Sequence, residues 1–548
     1  MTSSSLETPP ALAPRQQSAA EHATARRIGI ASAIWGVSIL ASRLIGLVRE
    51  GVIGRTLGAG SKGDLYTTAF VVPDFLNYLL AGGALSIVFI PIFGAYLARG
   101  EEERASEAFS VVANFLCVML AAVSVALWFA MPVLAPIAAP GFTIEEQREL
   151  VALSRIVLPA QVFHVLGGLL SASMQARDRH ALPALAPLVY TLAIILGGWI
   201  GGQEAGAYGF AWGALAGSIA GPFALPLIGA LKSGLRWRWK FALRHPDLKT
   251  YLVRSLPIMI GFSIVVVDDW YLKREGTLAG AGAAASLSYA KTLMKVPMGV
   301  FGLAAGVAVF PTLQRLVAEG KTGEMRDTLM RSLRTLLVIA LAAEAVLTVC
   351  GVEIVTLVYG RTRLTPDQIH EIALCLAIVS IGLAAWASQT LIARGFYALG
   401  NTWMPALLGT AIAAAAYPLY VLGRSELGTR GLAIASTVAI VVYTCALAFV
   451  LARTLSKGAP NDTAQAPWFT AFLARAALVL VAAIAAGVGA AHAFAFPSGT
   501  LAIAARAGAL TLVTLATFVA VARLVRLTEV AALFRRLPSA PERGRVAE

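Results

Sequence analysis

The sequence predicts an all-α polytopic membrane protein with fourteen transmembrane helices. The 548 residues are 58% hydrophobic and only 14% charged, and the mean hydropathy is +0.75. A soluble protein of this composition would lack the polar surface needed to cover itself. Apolar stretches of about 18 residues or more recur along the chain, and each is long enough to cross a hydrocarbon core ~30 Å thick.

The predicted spans form two six-helix lobes followed by a final pair of helices. We predict spans over residues 28–54, 64–98, 106–135, 150–174, 182–202, 207–231, 254–273, 280–317, 329–358, 370–396, 403–422, 429–453, 468–492 and 499–525. Spans 2 and 8 are longer than one crossing requires and contain proline and glycine, so we expect both to bend or break. The expected organisation is a disordered cytoplasmic tail (1–27), an N-lobe (28–231), a basic cytoplasmic linker (232–253), a C-lobe (254–453), helices 13 and 14 (454–525) and a basic cytoplasmic tail (526–548).

The positions of lysine and arginine predict the orientation. The largest basic group lies in segment 231–254, whereas loop 136–149 carries three glutamates and one arginine. The positive-inside rule then predicts that both termini are cytoplasmic. Because the basic residues follow the topology, the net charge of +14 does not indicate nucleic-acid binding. The basic loops would instead contact anionic lipid headgroups.

An internal repeat relates the two lobes. Segments "FIPIFGAYLARGEEER" (89–104) and "VFPTLQRLVAEGKTGEM" (309–325) each place a glycine nine residues after a proline. Upstream, "TLGAG" (56–60) matches "TLAGAG" (277–282). Six helices separate the copies, an even number, so both lobes have the same orientation in the membrane. Transporters commonly place their binding site between repeats of this kind.

Span 1 carries ionisable residues where water is scarce. Arg43 lies deep in the span, and Arg49 and Glu50 approach its outer end. An ionisable side chain at mid-bilayer costs at least ~2.5–3.5 kcal/mol and usually faces a wet cavity, although near a helix end it can reach the interface by snorkelling. We predict that both arginines line a cavity. Asp64, at the start of span 2, is either a helix N-cap or a supporting charge.

The C-lobe carries a matching set of charges. Lys291 and Lys295 in span 8 are four residues apart and therefore share one helix face. Two like charges stacked in lipid would be costly, which favours a water-filled, anion-accepting cavity, with ion pairing as the alternative. Asp268 and Asp269 in span 7 either pair with nearby cations or hold a cation or proton, and pairing is the commoner outcome.

Motifs for enzyme chemistry are absent from the sequence. The GxxxxGK[ST] and HExxH patterns are missing, and so is GxSxG. The four cysteines have neither disulfide nor zinc spacing; they are Cys117, Cys350, Cys375 and Cys445. We therefore expect a protein that is not an enzyme and holds no metal or cofactor. Any transport would depend on membrane potential or ion coupling.

Several motifs together resemble the MurJ/MviN family of lipid II flippases, in the MOP transporter superfamily. They are "SRLIGLVREGVIGRTLGAGSKGD", "FIPIFGAYL", "MQARDRHALPALAPLVYTLAIILG", "GVFGLAAGVAVFPTL" and "LIARGFYALGNTWMPALL". The resemblance covers roughly residues 28–525. It implies alternating access around a central cationic cavity for the headgroup of an undecaprenyl-pyrophosphate-linked glycan. It also implies a monomer in the bacterial cytoplasmic (inner) membrane, with lipid II, the bilayer and cell-wall synthesis proteins as partners.

The resemblance assigns roles by position. Arg43, Arg49 and Asp64 match family positions linked to function, and Glu50 keeps the acidic residue after the second arginine. The predicted substrate-binding residues are Arg43, Arg49, Lys291 and Lys295. The predicted supporting or ion-coupling charges are Glu50, Asp64, Asp268 and Asp269.

Several positions in helices 2 and 8 depart from the family pattern. Family arginines in helix 2 are replaced by Asn77 and Tyr78, a family glutamate by Gly82, and a family arginine in helix 8 by Thr292. Helix 11, which supplies sodium ligands in some relatives, is nearly bare here, so no sodium site is carried over.

Four functions remain open from the sequence. Within the family, the protein moves either lipid II or another lipid-linked glycan, such as an exopolysaccharide repeat. Outside the flippases, it is an ion-coupled exporter of cationic compounds resembling the MATE branch, or a non-transporting scaffold. An exporter of cations should have an acidic cavity, and a scaffold gains nothing from charges placed deep in its spans.

Overall fold

The computed structural model describes residues 44–81, 88–260, 264–299, 303–360, 363–456, 466–493, 495–496 and 498–530. The predicted substrate residue Arg43 lies outside this described part of the chain, as does Gly82. Within it the secondary structure is almost entirely helical. The prediction of an all-α protein is therefore confirmed.

Twenty-one α-helices follow one another along the described chain. They are α1 (44–57), α2 (Ser61–Ala69), α3 (Val71–Ala81), α4 (Ile90–Ala98), α5 (Glu102–Ala138), α6 (Ile144–Val157), α7 (Ala160–Gln175), α8 (Ala181–Ala205), α9 (Ala207–Ser218), α10 (Leu225–Lys232), α11 (Pro246–Ile260), α12 (Ile264–Ala279), α13 (Ala283–Pro297), α14 (Leu303–Ala318), α15 (Thr322–Val349), α16 (Gly351–Tyr359), α17 (Pro366–Ile381), α18 (Leu383–Ala398), α19 (Trp403–Ser456), α20 (Ala466–Ala493) and α21 (Thr500–Leu524). A π-helical turn, Ile219–Ala224, joins α9 to α10. We call α1–α10 the N-terminal half and α11–α19 the C-terminal half.

Nine helical segments among the described residues are long and apolar enough to cross a membrane, so the chain is a multi-pass membrane protein. The longest, Trp403–Ser456, has 54 residues and contains Gly428 at φ 58°, ψ −131°. This backbone conformation interrupts the helix. The interruption lies between predicted spans 11 and 12.

Predicted span 2 breaks where its proline requires a break. Pro73 has no N–H to donate to the carbonyl of Ala69, so the helix cannot continue there with full hydrogen bonding. The chain turns at Phe70, between α2 and α3. The freed Ala69 carbonyl accepts a hydrogen bond from Ser154 Oγ at 3.1 Å. A side chain of α6 thus satisfies the group that the proline leaves unpaired.

The final helix pair, α20 and α21, packs against α15 and α16 of the C-terminal half. Two ion pairs hold it at opposite ends. Arg506 Nη1 lies 2.5 Å from Glu353 Oε1, and Arg334 Nη1 lies 3.6 Å from Glu529 Oε1. The final helix pair therefore packs on the C-terminal half, away from the surface where the two halves meet.

Candidate functional site: a charged cavity between the two halves

A cavity of about 730 Å³ lies between the N-terminal and C-terminal halves. Four basic and three acidic side chains line it: Arg49, Lys273, Lys291, Lys295, Glu50, Asp74 and Asp269. Four tyrosines add hydroxyl groups to its wall: Tyr66, Tyr78, Tyr190 and Tyr289. Such a site can hold an anion through its cations and a polar, sugar-bearing group through its hydroxyls.

Helix α1 contributes an adjacent ion pair to the cavity. The Nε and Nη2 atoms of Arg49 donate to Glu50 Oε1 at 3.1 and 2.5 Å. The side chain of Arg49 remains 28% exposed, whereas that of Glu50 is 11% exposed. Because a guanidinium carries five N–H donors, Arg49 keeps donors for a ligand after binding Glu50.

The C-terminal half contributes a chain of alternating charges. Lys291 Nζ donates to the carboxylates of both Asp268 and Asp269, and Lys295 Nζ lies 3.0 Å from Asp269 Oδ2. Tyr420 of α19 donates its hydroxyl to Asp268 on the buried side. The charges of the two predicted substrate-binding lysines are thus partly compensated. Pairing, the alternative left open by the sequence, describes their state in this conformation.

The two lysines differ in how much of each side chain is exposed to a ligand in the cavity. The side chain of Lys291 is 4% exposed and that of Lys295 is 36% exposed. Lys291 also lies over the ring of Trp386, 5.2 Å from its centroid. We infer that Lys291 organises the wall formed by α12, α13 and α19, while Lys295 is the lysine that faces the cavity contents.

Removing the buried Lys291 should destabilise the fold. We expect Lys291→Met to lower the free energy of unfolding by about 3–5 kcal/mol, because it leaves two carboxylates uncompensated. Unfolding by titration with sodium dodecyl sulfate in bicelles measures this effect. The half-exposed Lys295→Met is the matched control and should lose much less. The double variant Lys291→Met/Asp268→Asn should recover part of the loss, and no recovery would contradict the buried pair.

Two charged residues of the cavity were not predicted from the sequence. Lys273 on α12 and Asp74 on α3 both line the cavity. Neither has a hydrogen bond or ion pair through its side chain among the described residues. Lys273 comes four residues after Asp269, and this helical spacing could have indicated a shared face. Asp74 directly follows the proline that breaks span 2.

The departures from the family pattern fall partly on this cavity. Tyr78 and Thr292 line it, so two family arginine positions carry neutral, hydroxyl-bearing side chains here. Asn77 is not among the lining residues. The cavity consequently has a lower density of positive charge than the family pattern implies.

An apolar chamber of about 370 Å³ adjoins the charged cavity. It lies between α3, α5 and α12, and its walls include Val123, Leu127 and Leu134. The two spaces share four residues: Asp74, Tyr78, Asp269 and Lys273. A charged group held by Lys273 would thus have an apolar surface beside it, as an amphiphilic ligand requires.

Asp64 does not line the cavity but joins the two halves at one end of their contact, where α2 and α13 begin. The residue is 1% exposed, and its carboxylate accepts hydrogen bonds from Gly282 N at 2.5 Å and Ala285 N at 2.6 Å. It does not cap its own helix, whose N-cap is Gly60. The N-cap interpretation was therefore wrong about which helix is capped. The carboxylate satisfies amides that are otherwise unpaired at the start of α13.

Further hydrogen bonds join the two halves at the same end. Tyr289 donates its hydroxyl to the Gly58 carbonyl at 2.8 Å, and Gln368 Nε2 donates to the Ala59 carbonyl at 2.8 Å. Gly282 adopts φ +87° in close contact with Ala59. Only glycine tolerates that conformation without strain. We call this set of contacts, together with Asp64, the end latch.

Among the described residues, no cluster of three or more His, Cys, Asp or Glu side chains could hold a metal ion. The carboxylates of Asp268 and Asp269 instead share the ammonium group of Lys291. Within the described part of the chain, both aspartates of this wall are therefore paired with its own lysines.

Comparison with known proteins gives the family from the sequence and a similar fold from solved structures. Residues 53–504 match the family described as lipid II flippase MurJ. A probable lipid II flippase MurJ from Rhizobium tropici is 26% identical over 413 residues, which cover 74% of this chain and 77% of that protein. The solved structure "Lipid II flippase MurJ, inward closed conformation" superposes with a TM-score of 0.71 at 19% identity, covering 91% of this chain and 99% of that one.

A MATE transporter has a similar fold, with a lower TM-score. An inward-facing MATE family multidrug resistance transporter of the MOP superfamily superposes with a TM-score of 0.64 at 14% identity. It covers 78% of this chain and is itself covered completely. The family match spans most of the sequence, whereas the likeness to the MATE transporter concerns the fold alone. The chain belongs to the MurJ family of lipid II flippases.

Proposed function

We propose that this protein moves lipid II, the undecaprenyl-pyrophosphate-linked precursor of peptidoglycan, from the inner to the outer leaflet of the bacterial cytoplasmic membrane. The observation that carries the proposal is the charged cavity between the two halves of a MurJ family chain. Its cations suit a pyrophosphate, and its tyrosines suit a sugar headgroup. The adjoining apolar chamber suits a ligand whose charged group continues into a hydrocarbon chain.

The charge balance of the cavity favours an anionic substrate. Four basic and three acidic side chains line it, and Lys273 forms no hydrogen bond or ion pair with a described carboxylate, although Asp74 and Asp269 attract it from a longer distance. Pyrophosphate would bind Lys273 directly and would compete with Asp269 for Lys295. Arg49 and Lys295 would then be substrate ligands, while Lys291, Glu50 and Asp268 would position them. Arg43 is expected to add a further cation from the same helix as Arg49.

The proposed cycle is alternating access with the end latch as the outer gate. We propose fourteen spans in two six-helix lobes plus a final pair, with both termini cytoplasmic, so that the latch lies outside. The latch holds the outer end closed while the headgroup enters from the inside. Because the ammonium groups of Lys291 and Lys295 together balance the charges of the two aspartates, we propose that membrane potential or proton movement, rather than a bound sodium ion, drives the return.

The proposed setting is the inner membrane of a bacterium, where the protein acts in cell-wall biogenesis as a monomer. Its partners would be the lipid substrate, the surrounding bilayer and the enzymes of cell-wall synthesis. No enzymatic step is assigned to the chain.

The test is lipid II translocation in cells depleted of their own flippase. Expression of the chain should restore lipid II to the outer leaflet, where an externally added enzyme that cleaves lipid II detects it. The variant Arg49→Ala/Lys273→Ala/Lys295→Ala should reach the membrane and restore none. Normal translocation by this triple variant would refute the proposed site. Failure of the wild-type chain, together with movement of a lipid-linked exopolysaccharide repeat, would assign the alternative glycan.

A further inference from the structure

The segment between the two halves is an ordered strap bound along helix α5. Residues 235–245 link α10 to α11 without forming a helix. Asn114, which is 0% exposed, holds the strap through three hydrogen bonds. Its Nδ2 donates to the carbonyls of Arg238 at 2.9 Å and Lys240 at 3.0 Å, and its Oδ1 accepts from Trp237 Nε1 at 2.9 Å.

The first part of the strap is fixed by neighbouring side chains of α5. The backbone N–H groups of Arg236 and Arg238 donate to Ser106 Oγ and Ser110 Oγ at 3.2 and 3.0 Å. The ring of Trp237 packs edge-to-face on Phe109. The strap therefore runs beside α5 in a defined direction, from Ser106 towards Asn114.

That direction leads towards the bilayer. The eight residues from Ser106 to Asn114 correspond to about 12 Å along the helix axis. From Asn114 to Ala138, the end of α5, the helix contains no charged residue and extends about 36 Å, slightly more than the ~30 Å hydrocarbon core. Asn114 thus marks the inner edge of the hydrocarbon, and the strap is held at that depth.

The side chains at this depth are aromatic, apolar and basic. Trp239, Phe241 and Leu243 are 74%, 50% and 63% exposed, although they are large hydrophobic residues. Arg238 and Arg244 flank these three residues; both are exposed and without an ion pair among the described residues. Lys240 differs, because it pairs with Glu107 at 2.5 Å. Unpaired arginines on either side of exposed aromatic rings match the interface of an anionic leaflet.

We propose that residues 238–244 form a binding site for anionic phospholipid headgroups at the inner leaflet. Arg238 and Arg244 hold the lipid phosphates, and Trp239 and Phe241 lie at the level of the glycerol backbones. Because the strap is the connection between the two halves, this site anchors the moving parts to the membrane surface. The proposal rests on the cytoplasmic orientation given above, and it is independent of which lipid is transported.

The test uses native mass spectrometry of the purified full chain, titrated with phosphatidylglycerol or phosphatidylcholine. The wild type should retain phosphatidylglycerol preferentially. Arg238→Gln/Arg244→Gln should weaken that retention about 30-fold. Each basic residue near an anionic surface contributes about 1 kcal/mol of binding free energy, and about 2 kcal/mol corresponds to that factor. The matched control Arg315→Gln/Lys321→Gln removes two exposed charges elsewhere and should change little. An equal loss in both variants, or no loss in the first, would overturn the proposal.

Two further measurements test the placement of the strap. Asn114→Ala keeps every charge but releases the strap, so phosphatidylglycerol retention should fall here as well. Wild-type retention by this variant would refute the fixed geometry. In nanodiscs, phosphatidylglycerol brominated near its glycerol end should quench the fluorescence of the wild type more than that of Trp239→Phe, and equal quenching would place the ring outside the interface. None of these readouts involves translocation, so they can fail while the flippase proposal stands.

Discussion

Asp64→Ala should open the end of the cavity that we propose faces outward and should lower lipid II translocation more than tenfold. The carboxylate of this buried residue accepts hydrogen bonds from Gly282 N and Ala285 N of the other half, and alanine leaves both amides unpaired. A hydrogen bond to a charged group is worth ~1.5–3 kcal/mol. Losing two weakens the closed state by about 3 kcal/mol or more and shifts the open-to-closed ratio by at least ~100-fold.

The opening can be measured directly at a cavity residue. Thr67 lines the cavity, so a cysteine at this position should react with an external, membrane-impermeant maleimide only when the outer end opens. The four native cysteines are first replaced by alanine. Labelling of Thr67→Cys should rise strongly when Asp64→Ala is added. With Asp64→Asn it should rise less, because one acceptor oxygen remains.

A matched control separates the latch from a general effect of charge. Asp367, in the first turn of α17, is an exposed aspartate near the same end of the molecule. Asp367→Asn should leave both the labelling and the translocation at wild-type levels. If Asp64→Ala leaves Thr67→Cys as unreactive as before while translocation is lost, the latch is not the gate and Asp64 acts in another way.

The end latch also shows which contacts cannot be predicted from the sequence. The all-α class, the positions of the breaks and the apolar helices follow from composition, proline and glycine, which act locally. Asp64, by contrast, caps a helix that begins more than two hundred residues later. The N-cap interpretation therefore predicted correctly that Asp64 caps a helix, but it named the wrong helix. Contacts at that separation leave no periodic pattern in a single sequence.

The cavity was predictable only in part for a similar reason. An arginine in an apolar span is costly enough to indicate a cavity, and Arg49 does line one. The rotation of α12 was not encoded in any local pattern. It turns Asp269 and Lys273 into the cavity and leaves Asp268 buried behind Lys291. The sequence therefore left open whether the two lysines face an anion or pair with the two aspartates, and the fold supplies the pairing.

Arg49→Ala should strongly weaken headgroup binding while the protein still inserts and folds. Two of the guanidinium donors bind Glu50, and the rest are available to a pyrophosphate. Loss of charged hydrogen bonds worth ~1.5–3 kcal/mol each should reduce lipid II affinity by about 10- to 150-fold per bond lost. Arg49→Lys should recover part of the affinity, because a lysine keeps the charge but lacks the bidentate fork.

A defect in Arg49→Ala could also arise from the uncompensated Glu50, which is 9% exposed. The double variant Arg49→Ala/Glu50→Gln removes that charge as well. Restored unfolding stability with persistent loss of binding would assign Arg49 to the substrate. Restored binding of lipid II would show that the arginine only neutralises its neighbour. Arg104→Ala, which removes a 70% exposed cation outside the cavity, should behave as wild type in both assays, since that charge is screened by water.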